Sequence, residues 1–427
     1  MANAFSKEEV VLFEDIVAGF GPNNITAGQV SKFKPPSTVF ERSALTVHRT
    51  MPYITKGTEG LVLASGAFAD RTQLTVPSTL NANDSAPSHI RNIPFKMNAV
   101  ELNDPLQRER IKTSAIQQLS ATADSVVANE VAKRGSLFIK NGGAITTYAH
   151  VARAEELMSI RDVPIMSART LIMNPTDYNS VAGNLADRDA PLAGTSLTAY
   201  ERSKIPTVAT FDSFKANFMP TQAAQTGTGW LVNGANQDHD PAATDANGNN
   251  VDNRTQNLTI DTGSGTIAEG DAFTIAGVFA VGMIHKNVTA ELQTFRVVSR
   301  TSATVIVITP AIVAATGGGG AQANIDYANV DAAPADNAAI TFLNITAAQP
   351  SNIFFVNEAV EIVHGSLATM ELDGSAGVAS MRTTTDSGIE LLFAKSSEVL
   401  GLSTSYRMTM WMTANVLCPE MCGNLVK

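Results

Sequence analysis

Six histidines, His48, His89, His150, His239, His285 and His364, are the residues first weighed for metal or proton chemistry, and no two stand at the short spacing a zinc site uses. They read as surface or hydrogen-bonded side chains. Cys418 and Cys422 form a C-x3-C with no partner pair, which favours idle buried thiols over a metal centre or a disulfide framework. The serine of Asp373-Gly374-Ser375-Ala376-Gly377 lacks the G-x-S-x-G spacing of a nucleophile elbow. The four glycines at 317–320 have no Lys-Ser/Thr after them and no strand-to-helix setting, so they read as a loop and not a phosphate cradle. No catalytic residue, metal ligand or cofactor site is expected, because an enzyme needs converging titratable groups and the spacing supplies none.

One dense polar cluster remains. Gln237-Asp238-His239-Asp240 leads into Asp245-Ala246-Asn247-Gly248-Asn249-Asn250-Val251-Asp252-Asn253-Arg254, where carboxylates and amides alternate around a glycine. The spacing and terminal glutamate of a calcium-binding EF-hand loop are missing. Two readings stand: a solvated acidic hairpin loop, or a loop that reaches a basic patch on a neighbouring molecule. The cations between 220 and 350 are Arg254, Lys286, Arg296 and Arg300, and the last three are candidate partners for carboxylates of another copy.

The whole chain has 427 residues, roughly three domains' worth at ~150 residues each. Hydrophobic residues make up 44%, which excludes global disorder. Charged residues are only 16%, against about 25% for an ordinary soluble domain. Either uncharged polar side chains cover the surface, or much of it faces other copies. The net charge of −10 and the lack of a Lys/Arg stripe argue against nucleic-acid binding through phosphate neutralisation. Within 220–350 stand eleven acidic and four basic residues, net −7, so most of the imbalance lies there. No apolar run approaches the ~20 residues of a membrane span and no basic-then-apolar leader opens the chain, so neither a membrane span nor a secretory signal is expected. The lack of a disulfide framework points to a reducing compartment.

The elements that position these residues follow from their punctuation. Ser6 and Glu9 have capping-box spacing before Val10, Phe13 and Val17, which predicts a short helix stopping at Gly19. With Lys34-Pro35-Pro36 beyond it, 1–36 reads as an arm. Alternation at 44–48 and 73–76 predicts a long hairpin whose tip holds Gly57, Gly60 and Gly66. Asp104 as cap, Pro105 at the first position, Gln107, and Lys133-Arg134 before Gly135 predict one helix, Pro105–Arg134, about 45 Å long. Its stripe is Ile111, Ala115, Leu119, Ala123 and Val126. Residues 146–219 read as α/β, with a helix at 146–158, a strand at 168–173 and a turn at 174–177 into another helix. From 220 to 350, short strands at 257–260, 272–275, 294–298, 304–308 and 341–345 describe an inserted small barrel or sandwich. Strand patterns resume at 352–356, 361–363 and 388–416.

An ordered set of local matches runs along the chain. Phe33-Lys34-Pro35-Pro36 is followed by Glu41-Arg42-Ser43, Ala154-Glu155-Glu156-Leu157-Met158, Asn174-Pro175-Thr176-Asp177-Tyr178 and Val208-Ala209-Thr210-Phe211-Asp212. Within the insertion come Asn247-Gly248-Asn249, Val251-Asp252-Asn253-Arg254, Gly270-Asp271, Ala276-Gly277-Val278, Lys286-Asn287-Val288, Ile308-Thr309-Pro310 and Tyr327-Ala328-Asn329-Val330. By these the chain resembles the coat proteins of P22-like tailed phages. That resemblance implies an α+β, HK97-type capsid fold: N-terminal arm 1–36, E-loop hairpin 51–72, peripheral domain 37–50, 73–141 and 388–427 with spine helix 105–134, α/β axial domain 142–219 and 351–387, and inserted β-barrel 220–350.

It also implies a virion capsid protein assembled in the host cytoplasm as hexamers and pentamers of an icosahedral shell. The partners implied are a scaffolding protein, a portal protein and a possible decoration protein, with expansion as DNA enters. Glu14 and Asp15 match an acidic scaffold-binding pair, and Asp245, Asn247, Gly248, Asp252 and Arg254 match an intercapsomer loop. The glycine run, the 331–339 segment, and the long approach holding Asp238 and Asp240 depart from the family's pattern. The alternative, a β-rich adhesin-type surface protein, rests on the Thr, Asn and Gly content and would require export.

Overall fold

The structure is a computed structural model describing residues 5–35, 46–51, 55–57, 60–62, 73–81, 89–102, 104–164, 168–186, 205, 207–344, 348–367, 378–398 and 401–427. They divide into two compact units, 1–47 with 78–127 and 361–415, and 48–77 with 128–360 and 416–427. Most of the expected hairpin, 51–72, lies outside the described residues. Its two strands, Thr46–Thr50 and Thr75–Thr79, form a ladder of their own.

In the first unit the longest strand, Ser403–Val416, pairs antiparallel with Ile90–Asn98 on one side and Glu390–Glu398 on the other. Val378–Thr384, Val360–His364 and Ser31–Phe33 complete the sheet. Alternation sends Phe393, Tyr406 and Phe95 to one face, where Phe393 stacks on Tyr406 at 5.5 Å and on Phe13 at 5.4 Å. Phe13 belongs to the helix Lys7–Phe20, which buries Leu12, Phe13, Ile16 and Phe20. Each such side chain contributes about 1.5–3 kcal/mol. Over the described part of the expected arm, 5–35, this helix packs its apolar stripe on the sheet, because a stripe this apolar needs cover.

The capping box forms as read. Ser6 Oγ accepts from the Glu9 amide at 3.2 Å, and the Glu9 carboxylate accepts from the Ser6 amide at 2.7 Å. Glu9 then does more than cap, for it is buried and also accepts from Lys395 Nζ at 2.6 Å and the Tyr406 hydroxyl at 2.7 Å. Burial alone would raise its pKa. The hydrogen bonds from Lys395, the Ser6 amide and Tyr406 outweigh that and hold it below the ordinary value. Gly19 is not the stop. It lies inside the helix, where a Cβ would come within 2.6 Å of Ile116 Cδ1, so glycine lets the two helices approach.

The helix Pro105–Arg134 is found as expected, with Asp104 Oδ1 accepting from the Leu106 amide at 2.9 Å. Its buried stripe is Ala115, Leu119, Ala123, Val127 and Val131, an i, i+4 row that runs through Val127 instead of Val126. Asp124 is buried on that face and accepts from the amides of Ile25 and Ala27 at 2.9 and 2.8 Å, capping the short helix Thr26–Gln29.

The second unit holds a mixed sheet in the order Leu137–Lys140, Cys422–Val426, Asn352–Val356, Arg169–Met173, Phe211–Lys215, Thr207–Val208. Tyr148–Ile160 and Pro175–Ala186 are its helices. Between 220 and 350 a second sheet runs Leu231–Val232, Gln256–Asp261, Val305–Thr309, Val288–Arg300, Ala272–Val281, Ile340–Phe342. The bridge Leu231↔Ala339, with the Ile340 amide donating to the Trp230 carbonyl, joins last strand to first and closes a barrel. Phe273, Phe295, Phe342, Ile306 and Ile308 fill it.

Glu9 sets a pH test. Its folded pKa lies below its unfolded one, so it adds stability above the unfolded value, and that stability is lost as pH falls through the folded value. Glu9→Gln is expected to cost about 2–4 kcal/mol at pH 7 in urea unfolding of the unassembled chain, and to lose less than the wild type on acidification. Parallel pH profiles for the two would contradict the assignment.

Candidate functional site

The 237–254 segment builds a hydrogen-bonded tip on an anchored neck. At the tip, Asp245 Oδ1 accepts from the amides of Asn247 and Asn249, both at 2.8 Å, and Oδ2 accepts from Asn249 Nδ2 at 3.2 Å. Gly248 turns at φ +80° and donates its amide to the Asp245 carbonyl at 3.0 Å. The amide of Asn249 leads the donors that hold the Asp245 carboxyl below its usual pKa, so this fully exposed tip stays anionic. Asn253 closes the neck: buried, it accepts from the Ala242 amide at 3.0 Å and donates to the Ala242 carbonyl at 2.9 Å.

Arg254 clamps the base. Nε and Nη2 grip both oxygens of Asp252 at 2.9 Å, while Nη1 donates to the Val416 carbonyl at 2.7 Å and Nη2 to the Pro77 carbonyl at 3.1 Å. The five residues expected to act together thus separate. Asp245, Asn247 and Gly248 are exposed at the tip, whereas Asp252 and Arg254 are half-buried and bound to each other.

Two departures from the family pattern meet behind the loop. A Cβ on Gly317 would come within 2.6 Å of Asp238 Oδ2 and of Asn324 Nδ2, and one on Gly318 within 3.1 Å of Asp240 Oδ1. Asn324 Nδ2 donates to Asp240 Oδ1 at 2.9 Å. The glycine run is the bare backbone against which the longer approach is laid.

The three candidate cations divide too. Arg296 is fully buried, so its expected role toward another copy is corrected. Its Nη2 donates to the Ala132 carbonyl in the last turn of the long helix and to Gln222 Oε1 at 3.2 Å, and its guanidinium lies 5.1 Å from the Phe138 ring centre. Desolvation pulls its pKa to about 9, with Asp271 opposing, so it stays charged at neutral pH. Lys286 is half-buried and donates to the Ala328 carbonyl at 3.3 Å, and burial lowers its pKa. Arg300 is exposed, folded back onto the carbonyls of Ser302 and Ala303 at 3.0 and 2.8 Å over the Trp230 ring.

Glu14 and Asp15 are both exposed on the first helix, and Asp15 lies 3.4 Å from Lys112 Nζ, which also meets Glu109 at 2.7 Å. Sequence reasoning missed Glu9, Asp124 and the charged joint in which Glu269 meets Lys133 at 3.0 Å and Arg134 at 3.3 Å. Only the Ser6/Glu9 spacing carried any signal for these.

The profile described as P22 coat protein, gene protein 5, matches residues 1–426. Among solved structures, the I-domain of the CUS-3 coat protein is 41% identical, over 29% of this chain and 99% of that one, with a TM-score of 0.23. The capsid of cyanophage P-SCSP1u is 13% identical over 93% of this chain and 85% of that one, TM-score 0.41. The mature capsid of bacteriophage PhiM1 is 9% identical over 94% and 86%, TM-score 0.41. Matched from end to end by that profile, this α+β chain with its inserted barrel belongs to the P22 coat protein family, the major capsid proteins of HK97-type fold.

Proposed function

We propose that this major capsid protein assembles with a scaffolding protein into an icosahedral procapsid in the host cytoplasm and expands to the mature head as DNA enters. In this reading, hexamers and pentamers of the chain form the shell, a portal protein occupies one vertex, and a decoration protein is an optional addition. Domain roles follow the family pattern: 105–134 as spine, 51–72 as a hairpin laid over a neighbour, 220–350 as the insertion.

The observation that carries the reading is a pair of complementary apolar features. Leu61 and Val62, adjacent in the expected hairpin, are 101% and 88% exposed. On the first unit, Ile90, Pro94, Leu367, Val378, Leu392 and Ala394 line an open groove of 630 Å³. A hairpin tip of one copy in the groove of the next is a heterologous contact, the kind that closes rings. The acidic insertion agrees with a container filled after assembly, since a shell condensing on nucleic acid would need cationic arms.

Leu61→Asp with Val62→Asp is expected to leave the chain folded by circular dichroism and abolish shells in negative-stain microscopy with scaffold present. Normal shells would sink the proposed contact. At the loop, Asp245→Ala is expected to leave the unassembled chain as stable as the wild type yet yield fragile or tubular assemblies, whereas Arg254→Ala costs about 2–4 kcal/mol in the unassembled chain. Equal behaviour in both assays would collapse the distinction between tip and anchor. Glu14→Lys with Asp15→Lys is expected to weaken co-sedimentation with scaffold, most strongly at low salt. Unchanged co-sedimentation would remove the pair from that interface.

A further inference from the structure

Three Asn-Gly steps occur in the sequence: Asn141-Gly142, Asn233-Gly234 and Asn247-Gly248. At such a step the glycine nitrogen can attack Cγ of the preceding asparagine, unhindered by a side chain on the glycine. An N–Cγ bond forms, the Cγ–Nδ2 bond breaks, and ammonia leaves carrying the glycine proton. Water then opens the five-membered imide to aspartate or isoaspartate. The reaction needs a free amide, a glycine N–H that can give up its proton, and a backbone loose enough to bring the two together.

The structure separates the three steps on those criteria. Asn141 Nδ2 is held by the carbonyls of Gly143 at 3.2 Å and Ala144 at 3.3 Å. The Gly234 N–H donates to the Asp336 carboxylate at 2.8 Å, a charge-assisted bond that keeps the attacking nitrogen protonated. Asn247 is exposed, with no hydrogen bond to its side-chain amide among the described residues. The Gly248 N–H meets the neutral main-chain carbonyl of Asp245 at 3.0 Å. What restrains this step is the turn, pinned by the Asp245 carboxylate on the amides of Asn247 and Asn249.

We propose that Asn247 is a site of spontaneous deamidation, the fastest of the three Asn-Gly steps in the folded chain, and that Asp245 is the positioning residue that slows it. The product adds a carboxylate two residues from Asp245 and takes the insertion from −7 to −8. Like charges so close disfavour one another and loosen the turn. On the shell reading above, on which this last step rests, a chain that ages before assembly carries an impaired intercapsomer loop.

The test incubates the unassembled full-length chain at mildly alkaline pH. Conversion at each step is followed by peptide mass spectrometry and isoaspartate methyltransferase labelling. Asn247 is expected to convert first, Asp245→Ala to speed it several-fold, and urea to bring the three steps to similar rates. Faster conversion of Asn141 or Asn233 in the folded chain, or no acceleration in Asp245→Ala, overturns the proposal. Asn247→Asp, assembled with scaffold, tests the consequence separately: a lowered shell yield supports it, and an unchanged yield removes the assembly clause without touching the chemical site.

Discussion

The carboxyl end of the long helix is the point on which the second unit depends. A helix leaves its last carbonyls without partners and presents partial negative charge there. Here the Ala132 carbonyl accepts from Arg296 of the barrel and from Asn424 Nδ2 of the last strand at 2.8 Å. Gly135 follows, where a Cβ would lie 2.9 Å from the Cys422 carbonyl carbon, so the final strand can cross directly against the helix exit. Ser136 completes the joint, its amide donating to Pro419 at 2.9 Å and its carbonyl accepting from Thr294 Oγ1 at 2.6 Å. Barrel, helix and terminal strand are thereby held at one site by groups that would otherwise be orphaned.

Charge in this chain is scarce, and part of it is spent inside. Arg161, like Arg296, is buried, and it donates to Gln293 Oε1 at 2.8 Å and the Leu292 carbonyl at 2.9 Å. Arg161 thus grips the barrel strand Val288–Arg300 from outside, while Arg296, a residue of that strand, reaches out to Ala132 and Gln222. A buried cation carries a large desolvation cost, and donation to these carbonyls and amides, with carboxylates such as Asp271 nearby, offsets part of it. The low charged fraction thus does not translate simply into surface left free for other copies.

Much of the architecture was legible in residue order. Pro105–Arg134 could be read to the residue because Asp104, Pro105, Lys133-Arg134 and Gly135 punctuate it at both ends. The barrel strands could be read because Asn, Asp and Gly turns bracket β-branched runs. The misreadings share a cause. Gly19 looked like a stop, but glycine also serves close approach, and only the position of Ile116 tells the two apart. What covers the first helix could not be read, because the sheet that packs on its stripe comes from residues nearly four hundred positions away, Phe393 and Tyr406. Arg296 looked like an exposed cation because residue type alone does not reveal which strand face turns inward.

For the loop, sequence alone determined its location, its acidity and the Asn-Gly turn at its tip, since these depend on neighbours within a few residues and on side chains that bond their own backbone. Only the tertiary structure decided that Asp245 faces solvent while Asp252 is locked by Arg254 onto Val416 and Pro77, partners more than 160 positions away. Local hydrogen bonding is written in the order of residues. Which charge is desolvated and which stays in water is decided by the chain segments that fold against it, and spacing along the sequence does not record that.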